Sequence, residues 1–194
     1  MERIWLKQYP PGVPADIEPT QYASLVDLLE ESFKKFADRK AFICMDKSIS
    51  YRDLDQMSVA LAAYLQGRGL QRGARVAIMM PNVLQYPVAT AAVLRAGFAV
   101  VNVNPLYTPR ELEHQLKDSG AEAIVILENF AHTLAQVAAR TPVRVIVKAA
   151  LGDLLGWPKG AVVNFVVRHV KKLVPPASLP TAVAFKDALA QGAK

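Results

Sequence analysis

The sequence predicts an α/β fold, with a mainly parallel sheet that is covered by helices on both faces and a basic amphipathic helical segment attached. The first observation is that strand-like and helix-like patterns alternate from Arg75 onward. The second is that the strand-like runs are continuously apolar, which is typical of parallel strands buried on both faces. The third is a change of composition after Ala150, where acidic residues become rare. We therefore expect crossover helices on both sides of the sheet.

Three regions follow from these patterns. Residues 1–23 contain Pro10, Pro11 and further prolines, which favour an extended arm that lies over the surface or reaches a neighbouring subunit. Residues 24–150 form the α/β subdomain. Residues 151–194 form the basic amphipathic insert and a short closing helix, "FKDALAQG".

Two amphipathic helices and a hairpin open the subdomain. The first helix, in residues 24–39, has one apolar face made of Leu25, Leu28, Leu29, Phe33 and Phe36. A turn at Asp46-Lys47 then joins "AFICM" to "SIS", which predicts a hairpin. Cys44 lies in the first of these runs, so we expect it to be a small buried core residue. The second helix turns Leu54, Met57, Leu61 and Leu65 inward and ends near Gly67.

The alternating region predicts four strands and three helices. The strands are "RVAIMM", "FAVVNVN", "AEAIVIL" and "VRVIVKA". The first helix, "VLQYPVATAAVLRAG", is nearly all apolar and should be buried, with Pro87 either kinking it or delaying its start. The other helices are residues 109–119 and "FAHTLAQVAAR".

The residues from Thr108 to Glu111 predict the start of a helix. Its hydroxyl can accept from an orphan N–H, Pro109 suits the first helical position, and Glu111 can accept from the N–H of Thr108. Ser24 with Asp27 and Ser50 with Asp53 repeat the pattern. The recurrence favours ordinary helix starts over a chemical role for Thr108.

Composition limits the function classes. The chain has 194 residues, 52% hydrophobic and 21% charged, which is typical of a globular protein. Its single cysteine, Cys44, forms no internal disulfide and fits a reducing compartment, so we expect a cytoplasmic protein, with peripheral contact at the inner face of the membrane as an open alternative. The formal charge of +6 permits an anionic partner, but few aromatic residues accompany the basic ones, which disfavours nucleic acid.

Candidate binding residues follow two of the predicted strands. Asn82 and Asn104 stand where parallel strands end, which is where ligands bind in such sheets, and Tyr107 lies in the same turn as Asn104. We expect these three residues to line a cleft. The alternative is that Asn82 caps a helix and Asn104 opens a turn. The sequence offers no catalytic residue, no phosphate loop with its lysine and no histidine pattern typical of a metal site.

The insert carries the strongest local feature. No acidic residue lies between Asp153 and Asp187, and a helical wheel puts Asn164, Arg168, Lys171 and Lys172 on one face. Its cations could contribute about 4 kcal/mol toward an anionic membrane, or about millimolar binding, so buried aromatic side chains would be needed as well. The candidate membrane contacts are Trp157, Lys159, Phe165, Arg168, Lys171 and Lys172. The alternative is that the apolar face packs on the protein and the basic face is solvated.

Three blocks resemble the N-terminal region of bacterial long-chain fatty acyl-CoA synthetases, members of the adenylate-forming superfamily. They are "ISYRDLDQMSVALAAYLQGRGLQRGARVAIMMPN", "LRAGFAVVNVNPLYTPRELEHQLKDSGAEAIVIL" and "GAVVNFVVRHVKKLVPPASLPTAVAFKDAL". The last resembles an insert typical of the long-chain group. The resemblance implies the N-terminal subdomain of a ligase that uses a long-chain fatty acid, Mg-ATP and coenzyme A. It also implies that the phosphate loop and the catalytic lysine lie outside these residues, so we expect neither Mg-ATP nor coenzyme A to bind this chain alone.

Three hypotheses remain open. The first is the N-terminal part of such a ligase. The second is a non-catalytic membrane-binding or partner-binding α/β module derived from one, and a reading frame that continues past Lys194 would separate the two. The third, which the insert disfavours, is an adenylate-forming enzyme for another carboxylic acid. A homodimer is compatible with each of them.

Overall fold

Two sheets organise the chain in the computed structural model, which describes residues 2–194. The strands are β1 (Lys40–Cys44), β2 (Lys47–Ser50), β3 (Arg75–Met79), β4 (Ala99–Asn102), β5 (Ala123–Leu127), β6 (Val145–Ala149) and β7 (Val183–Ala184). The first two form an antiparallel hairpin, as predicted. The other five form a parallel sheet in the order β4-β3-β5-β6-β7. This confirms the predicted fold class.

Helices connect these strands. They are α1 (Leu25–Lys35), α2 (Tyr51–Gln66), α3 (Gln85–Arg95), α4 (Pro109–Ser119), α5 (Ala131–Ala135), α6 (Lys159–Phe165) and α7 (Phe185–Gly192). A π-helical turn, Val166–Val170, continues α6. The N-terminal arm contains a 3-10 helix, Ile4–Gln8, so it is not extended throughout. The helix predicted for "FAHTLAQVAAR" is wrong in length, because α5 is flanked by the 3-10 turns Glu128–Phe130 and Ala138–Arg140.

The predicted caps explain where the helices begin. At α4 the Thr108 N–H donates to Glu111 Oε2 at 2.8 Å, and Thr108 Oγ1 accepts from the Glu111 N–H. Ser50 and Asp53 make the same reciprocal pair at α2, whereas at α1 the bond runs from the Asp27 N–H to Ser24 Oγ. Pro87 lies in the first turn of α3, where its missing donor has no intrahelical partner to lose. It therefore delays the helix and does not kink it.

Each face of the sheet has its own apolar core. Val76 and Ile78 of β3 point to the side of α2, α3 and α7. Ala77 and Met79 point to the side of α4 and α5. This alternation is the period of a strand that is buried on both faces. Phe185, the first residue of α7, is fully buried in the first of these cores.

Three burial expectations are wrong. Leu25 and Leu28, on the predicted apolar face of α1, are 65% and 36% exposed. Cys44 is only half-buried, because it ends β1 at the open side of the hairpin, where its thiol lies 3.9 Å from the carbonyl oxygen of Asn82.

Candidate functional site

The connections of the sheet diverge between β3 and β5. From β3 the chain passes through α3 to β4 on one side, and from β5 it passes to β6 on the other. Ligands in open parallel sheets bind beyond the carboxyl ends of the strands at such a point. Asn82 follows β3 and Glu128 follows β5, so these residues mark the candidate site.

An ion pair occupies the β5 side of this site. The Glu128 side chain is 7% exposed, and both its oxygens accept from Arg168, Oε1 from Nε and Oε2 from Nη2, each at 2.9 Å. The bonds to Glu128 raise the pKa of Arg168. The guanidinium therefore neutralises the buried carboxylate and ties the insert to the end of β5.

A second set of polar contacts joins α3 to the end of β6. The side chain of Gln85 is buried and donates from Nε2 to the carbonyl oxygen of Ala150 at 2.7 Å. The Ala150 N–H donates to Asp153 Oδ2 at 2.7 Å. Burial raises the pKa of Asp153 above its usual value, and this hydrogen bond offsets only part of the rise. Gln85 was missed by sequence reasoning, and its only sequence signal is a polar residue inside an apolar helix.

The structure places the predicted cleft residues in different surroundings. Asn82 is exposed at the mouth of an apolar cavity. Asn104 is exposed and its Oδ1 accepts from the Leu106 N–H at 3.0 Å, which is the turn geometry of the alternative interpretation. Tyr107 is half-buried against the core beneath α4. Of the three, Asn82 alone lines that cavity, and a shared cleft remains a prediction.

Sequence reasoning also missed the hydrogen-bonded pair of Tyr86 and Asn102, which lies near Asn104. The hydroxyl of Tyr86 in α3 donates to Asn102 Oδ1 at 2.6 Å, which fastens the start of α3 to the end of β4.

The apolar cavity beside Asn82 has a volume of about 370 Å³ and lies between the hairpin, α1, α2 and α3. Its lining includes Leu29, Phe42, Cys44, Leu54, Val83 and Ala91.

The structure divides the face that the helical wheel gives to Asn164, Arg168, Lys171 and Lys172. Asn164 and Arg168 face the protein, where Asn164 Oδ1 accepts from the Gly152 N–H at 2.7 Å and Arg168 binds Glu128. The apolar side faces outward, with Trp157 90% exposed and Phe165 60% exposed. The Asn164 contact sets this orientation within α6, before the π-helical turn begins at Val166.

The other candidate membrane contacts divide in two. Lys159 lies 3.8 Å from Asp46 and donates to the carbonyl oxygen of Met45 at the tip of the hairpin. Lys171 and Lys172 follow the π-helical turn and are exposed. The expected solvated basic face is therefore limited to these last two lysines.

Residues 2–194 contain no group of three or more His, Cys, Asp or Glu side chains arranged to hold a metal ion. The helices of these residues are all too short or too polar to cross a membrane.

Comparison with known proteins gives consistent matches. The family model described as AMP-binding enzyme matches residues 29–185. A long-chain-fatty-acid–CoA ligase of Yersinia pestis is 56% identical over 193 residues, which is 99% of this chain and 34% of the relative. The ligase of Bacillus subtilis (strain 168) with the same description is 35% identical over 158 residues, or 81% of this chain and 28% of the relative. The chain thus spans about a third of the length of the curated relatives it matches.

Solved structures share the fold. A long-chain-fatty-acid-CoA ligase of Archaeoglobus fulgidus superposes with a TM-score of 0.64 at 25% identity, covering 80% of this chain and 32% of the other. An anthranilate CoA ligase in complex with anthranoyl-AMP superposes with a TM-score of 0.69 at 17% identity, covering 87% of this chain and 28% of the other.

Proposed function

This chain belongs to the AMP-binding enzyme family, and we propose that it forms the N-terminal part of a long-chain fatty-acid–CoA ligase. The observation that carries the proposal is the 56% identity to a ligase of that description along 99% of the chain. The parallel sheet that diverges between β3 and β5 agrees with it, since a substrate cleft is expected at the carboxyl ends of those strands.

In the proposed reaction a fatty acid attacks ATP to give an acyl-adenylate and pyrophosphate. The sulfur of coenzyme A then attacks the acyl carbon, which releases AMP and forms the thioester. Magnesium would offset phosphate charge in the first step. Since ATP and coenzyme A are the proposed co-substrates, we also propose a cytoplasmic location.

Within this reaction the chain acts as a scaffold for the cleft. Its carboxyl edge does not fit Mg-ATP, because Arg168 is bound to Glu128, Asn104 Oδ1 is used by a backbone N–H, and Asn82 adjoins an apolar cavity. We therefore propose that residues 2–194 supply no group to the reacting atoms. Asn82, Asn104 and Tyr107 are proposed to shape the wall of the cleft, and the triphosphate is proposed to bind to the remainder of the enzyme.

A fusion experiment tests the proposal. Residues 1–194 are joined to the remaining two-thirds of the Yersinia pestis relative, and formation of palmitoyl-CoA from palmitate, ATP and coenzyme A is measured. We expect the fusion to be active and the 194-residue chain alone to be inactive. Activity of the chain alone would overturn the assignment of chemistry to the remainder.

The two other hypotheses predict different results. An inactive but folded fusion would favour a non-catalytic module derived from such an enzyme, which the outward apolar face of the insert makes the second candidate. A fusion that activates benzoate but not palmitate would favour a family member for another carboxylic acid.

A further inference from the structure

Four arginines lie at the amino-terminal edge of the parallel sheet, at the opposite end of the strands from the candidate site. We define the amino-edge cluster as Arg68, Arg72, Arg75 and Arg144, all of which are exposed. Residues 56–110, which supply the first three, contain no Asp or Glu. The cluster is therefore a concentration of positive charge that the local sequence does not balance.

The starts of three neighbouring strands bring this cluster together. Arg75 begins β3, Glu122 immediately precedes β5, and Arg144 immediately precedes β6. The Glu122 N–H donates to the Arg75 carbonyl oxygen at 3.0 Å, and the Arg144 N–H donates to the Glu122 carbonyl oxygen at 2.8 Å. Arg68 and Arg72 belong to the turn between α2 and β3, and Arg144 Nη1 donates to the Arg68 carbonyl oxygen at 3.0 Å. The turn and the strand starts therefore form one surface.

One carboxylate offsets only part of the charge of this surface. Glu122 pairs with Arg144, whose Nη2 lies 3.1 Å from Glu122 Oε2. Within residues 2–194, no carboxylate forms an ion pair with Arg68, Arg72 or Arg75. Three guanidinium charges are therefore available to an anionic partner.

Two of these guanidinium groups lie against neutral neighbours. The guanidinium carbon of Arg68 is 4.1 Å from the ring centroid of Tyr64, and Arg68 Nη2 donates to Gln191 Oε1 at 2.6 Å. Arg75 Nη1 lies where α4 ends, 3.7 Å from the position of a Cβ on Gly120. A guanidinium that is positioned before binding loses less conformational entropy when a partner arrives.

The chemistry of the edge selects carboxylates as the ligand. Arginine binds planar oxyanions, both carboxylates and phosphates, through paired N–H groups. The exposed large apolar side chains of residues 2–194 all lie away from this edge, so nothing here inserts into a lipid surface. Tyr64 is buried beneath Arg68, so no nucleic-acid base can stack on its ring. An acidic segment of a protein needs neither of these features.

The position of the edge is compatible with a bound partner protein. β3 has five residues, so the cluster lies about 16 Å from the carboxyl edge, and a protein bound there leaves the proposed substrate cleft open. A symmetric second copy of the chain fits less well, because it would bring arginine toward arginine.

We propose that the amino-edge cluster docks an acidic segment of a separate partner protein. Asp and Glu carboxylates of that segment bind the guanidinium groups of Arg68, Arg72 and Arg75. Since the contacts are exposed ion pairs, the affinity falls as the salt concentration rises. This inference is independent of the ligase proposal.

Binding of labelled poly-L-glutamate tests the proposal, with fluorescence anisotropy as the readout. The protein is the fusion of residues 1–194 with the remainder of the Yersinia pestis relative, and the 194-residue chain is measured in parallel. We expect both to bind, and the variant Arg72→Gln/Arg75→Gln to lose about tenfold in affinity, because each exposed contact contributes about threefold. The matched control is Arg39→Gln/Arg110→Gln, which makes the same charge change on exposed arginines elsewhere and should retain more of the binding.

Two further measurements separate the docking from folding and from catalysis. Thermal unfolding shows whether each variant folds, and Arg72→Gln alone, in the turn before β3, should lose about threefold if the double variant is unstable. Palmitoyl-CoA formation by the fusion should be unchanged in Arg72→Gln/Arg75→Gln. A fusion that binds the probe but makes no palmitoyl-CoA would contradict the ligase proposal and leave the docking surface supported.

Four results would overturn the docking proposal. The first is equal affinity for poly-L-glutamate, or no affinity, in the wild-type protein and the Arg72→Gln/Arg75→Gln variant. The second is tighter binding of phosphatidylglycerol vesicles or of a DNA oligonucleotide at the same ionic strength, with the same loss in that variant. The third is binding by the 194-residue chain but not by the fusion, which would assign the edge to a contact within the enzyme. The fourth is a dimer in sedimentation equilibrium that the same variant dissociates.

Discussion

At the residue scale, two carboxylates near the carboxyl edge of the sheet differ in the donor that each one binds. Glu128 is buried with a guanidinium, whereas Asp153 is half-buried with a backbone N–H as its donor. A full opposite charge offsets desolvation better than one amide dipole does. Asp153 therefore has a raised pKa, and its charge opposes folding near neutral pH.

We expect Asp153→Asn to stabilise the chain at pH 7. In the folded state the pKa of Asp153 lies above the ordinary 3.8, so its charged carboxylate lowers the free energy of unfolding. This destabilisation vanishes once Asp153 is protonated in both the folded and the unfolded state. The asparagine can still accept from the Ala150 N–H. Thermal unfolding should show a gain at pH 7 that shrinks as the pH falls through the raised pKa of folded Asp153 and is absent below 3.8. Asp118→Asn, at an exposed position of α4, is the control, and a gain at Asp153 that is independent of pH would contradict the argument.

The opposite result is expected at Arg168. Arg168→Ala leaves the buried Glu128 carboxylate without its cation, and we expect it to lower the free energy of unfolding by about 2 kcal/mol. This figure is below that for a fully buried pair because the Arg168 side chain is 43% exposed. Urea unfolding measures it. Adding Glu128→Gln should restore part of the loss, and Arg140→Ala, which breaks the exposed pair with Glu113, should cost much less.

At the element scale, a close approach of backbones holds α6 in place. A Cβ on Gly160 would collide with the carbonyl oxygen of Gly152, and a Cβ on Gly152 would collide with that of Gly160. Gly152, Gly156 and Gly160 lie four apart, which is the spacing of a membrane-helix contact, but Pro158 interrupts them and the partner of Gly160 is the turn after β6. Glycine is required here for contact within the fold.

Gly160→Ala is expected to lower the free energy of unfolding by about 1–2 kcal/mol. The clash costs more than the gain in helix propensity returns. Gly67→Ala is the control, because its Cβ would make ordinary contacts at 3.5 Å and its φ is −66°. Urea unfolding of both variants tests this, and equal stability of the two would show that the α6 backbone is free to move away.

At the scale of the whole molecule, local sequence patterns predicted most helices and strands, whereas tertiary contacts determine the strand order and the side-chain pairs. The bounds of α4 and α7 follow from the Thr108 cap and from a short amphipathic pattern, both of which are local. The strand order and the Arg168–Glu128 pair join residues that are far apart in the sequence, so periodicity holds no information on them. The orientation of the insert depends on contacts of the same kind, since Asn164 bonds Gly152 and Arg168 bonds Glu128 across the sequence.

The position of Phe185 has a consequence for synthesis. It is fully buried in a core whose central residues include Leu61 and Leu65 of α2. A ribosome adds residues at about 5–20 per second, so roughly 6–25 s separate the synthesis of Leu61 from that of Phe185. During that interval the nascent chain lacks Phe185, which fills this core in the folded chain. The core can therefore be completed only after the ribosome has added Phe185, so the rate of translation sets the earliest time of its completion.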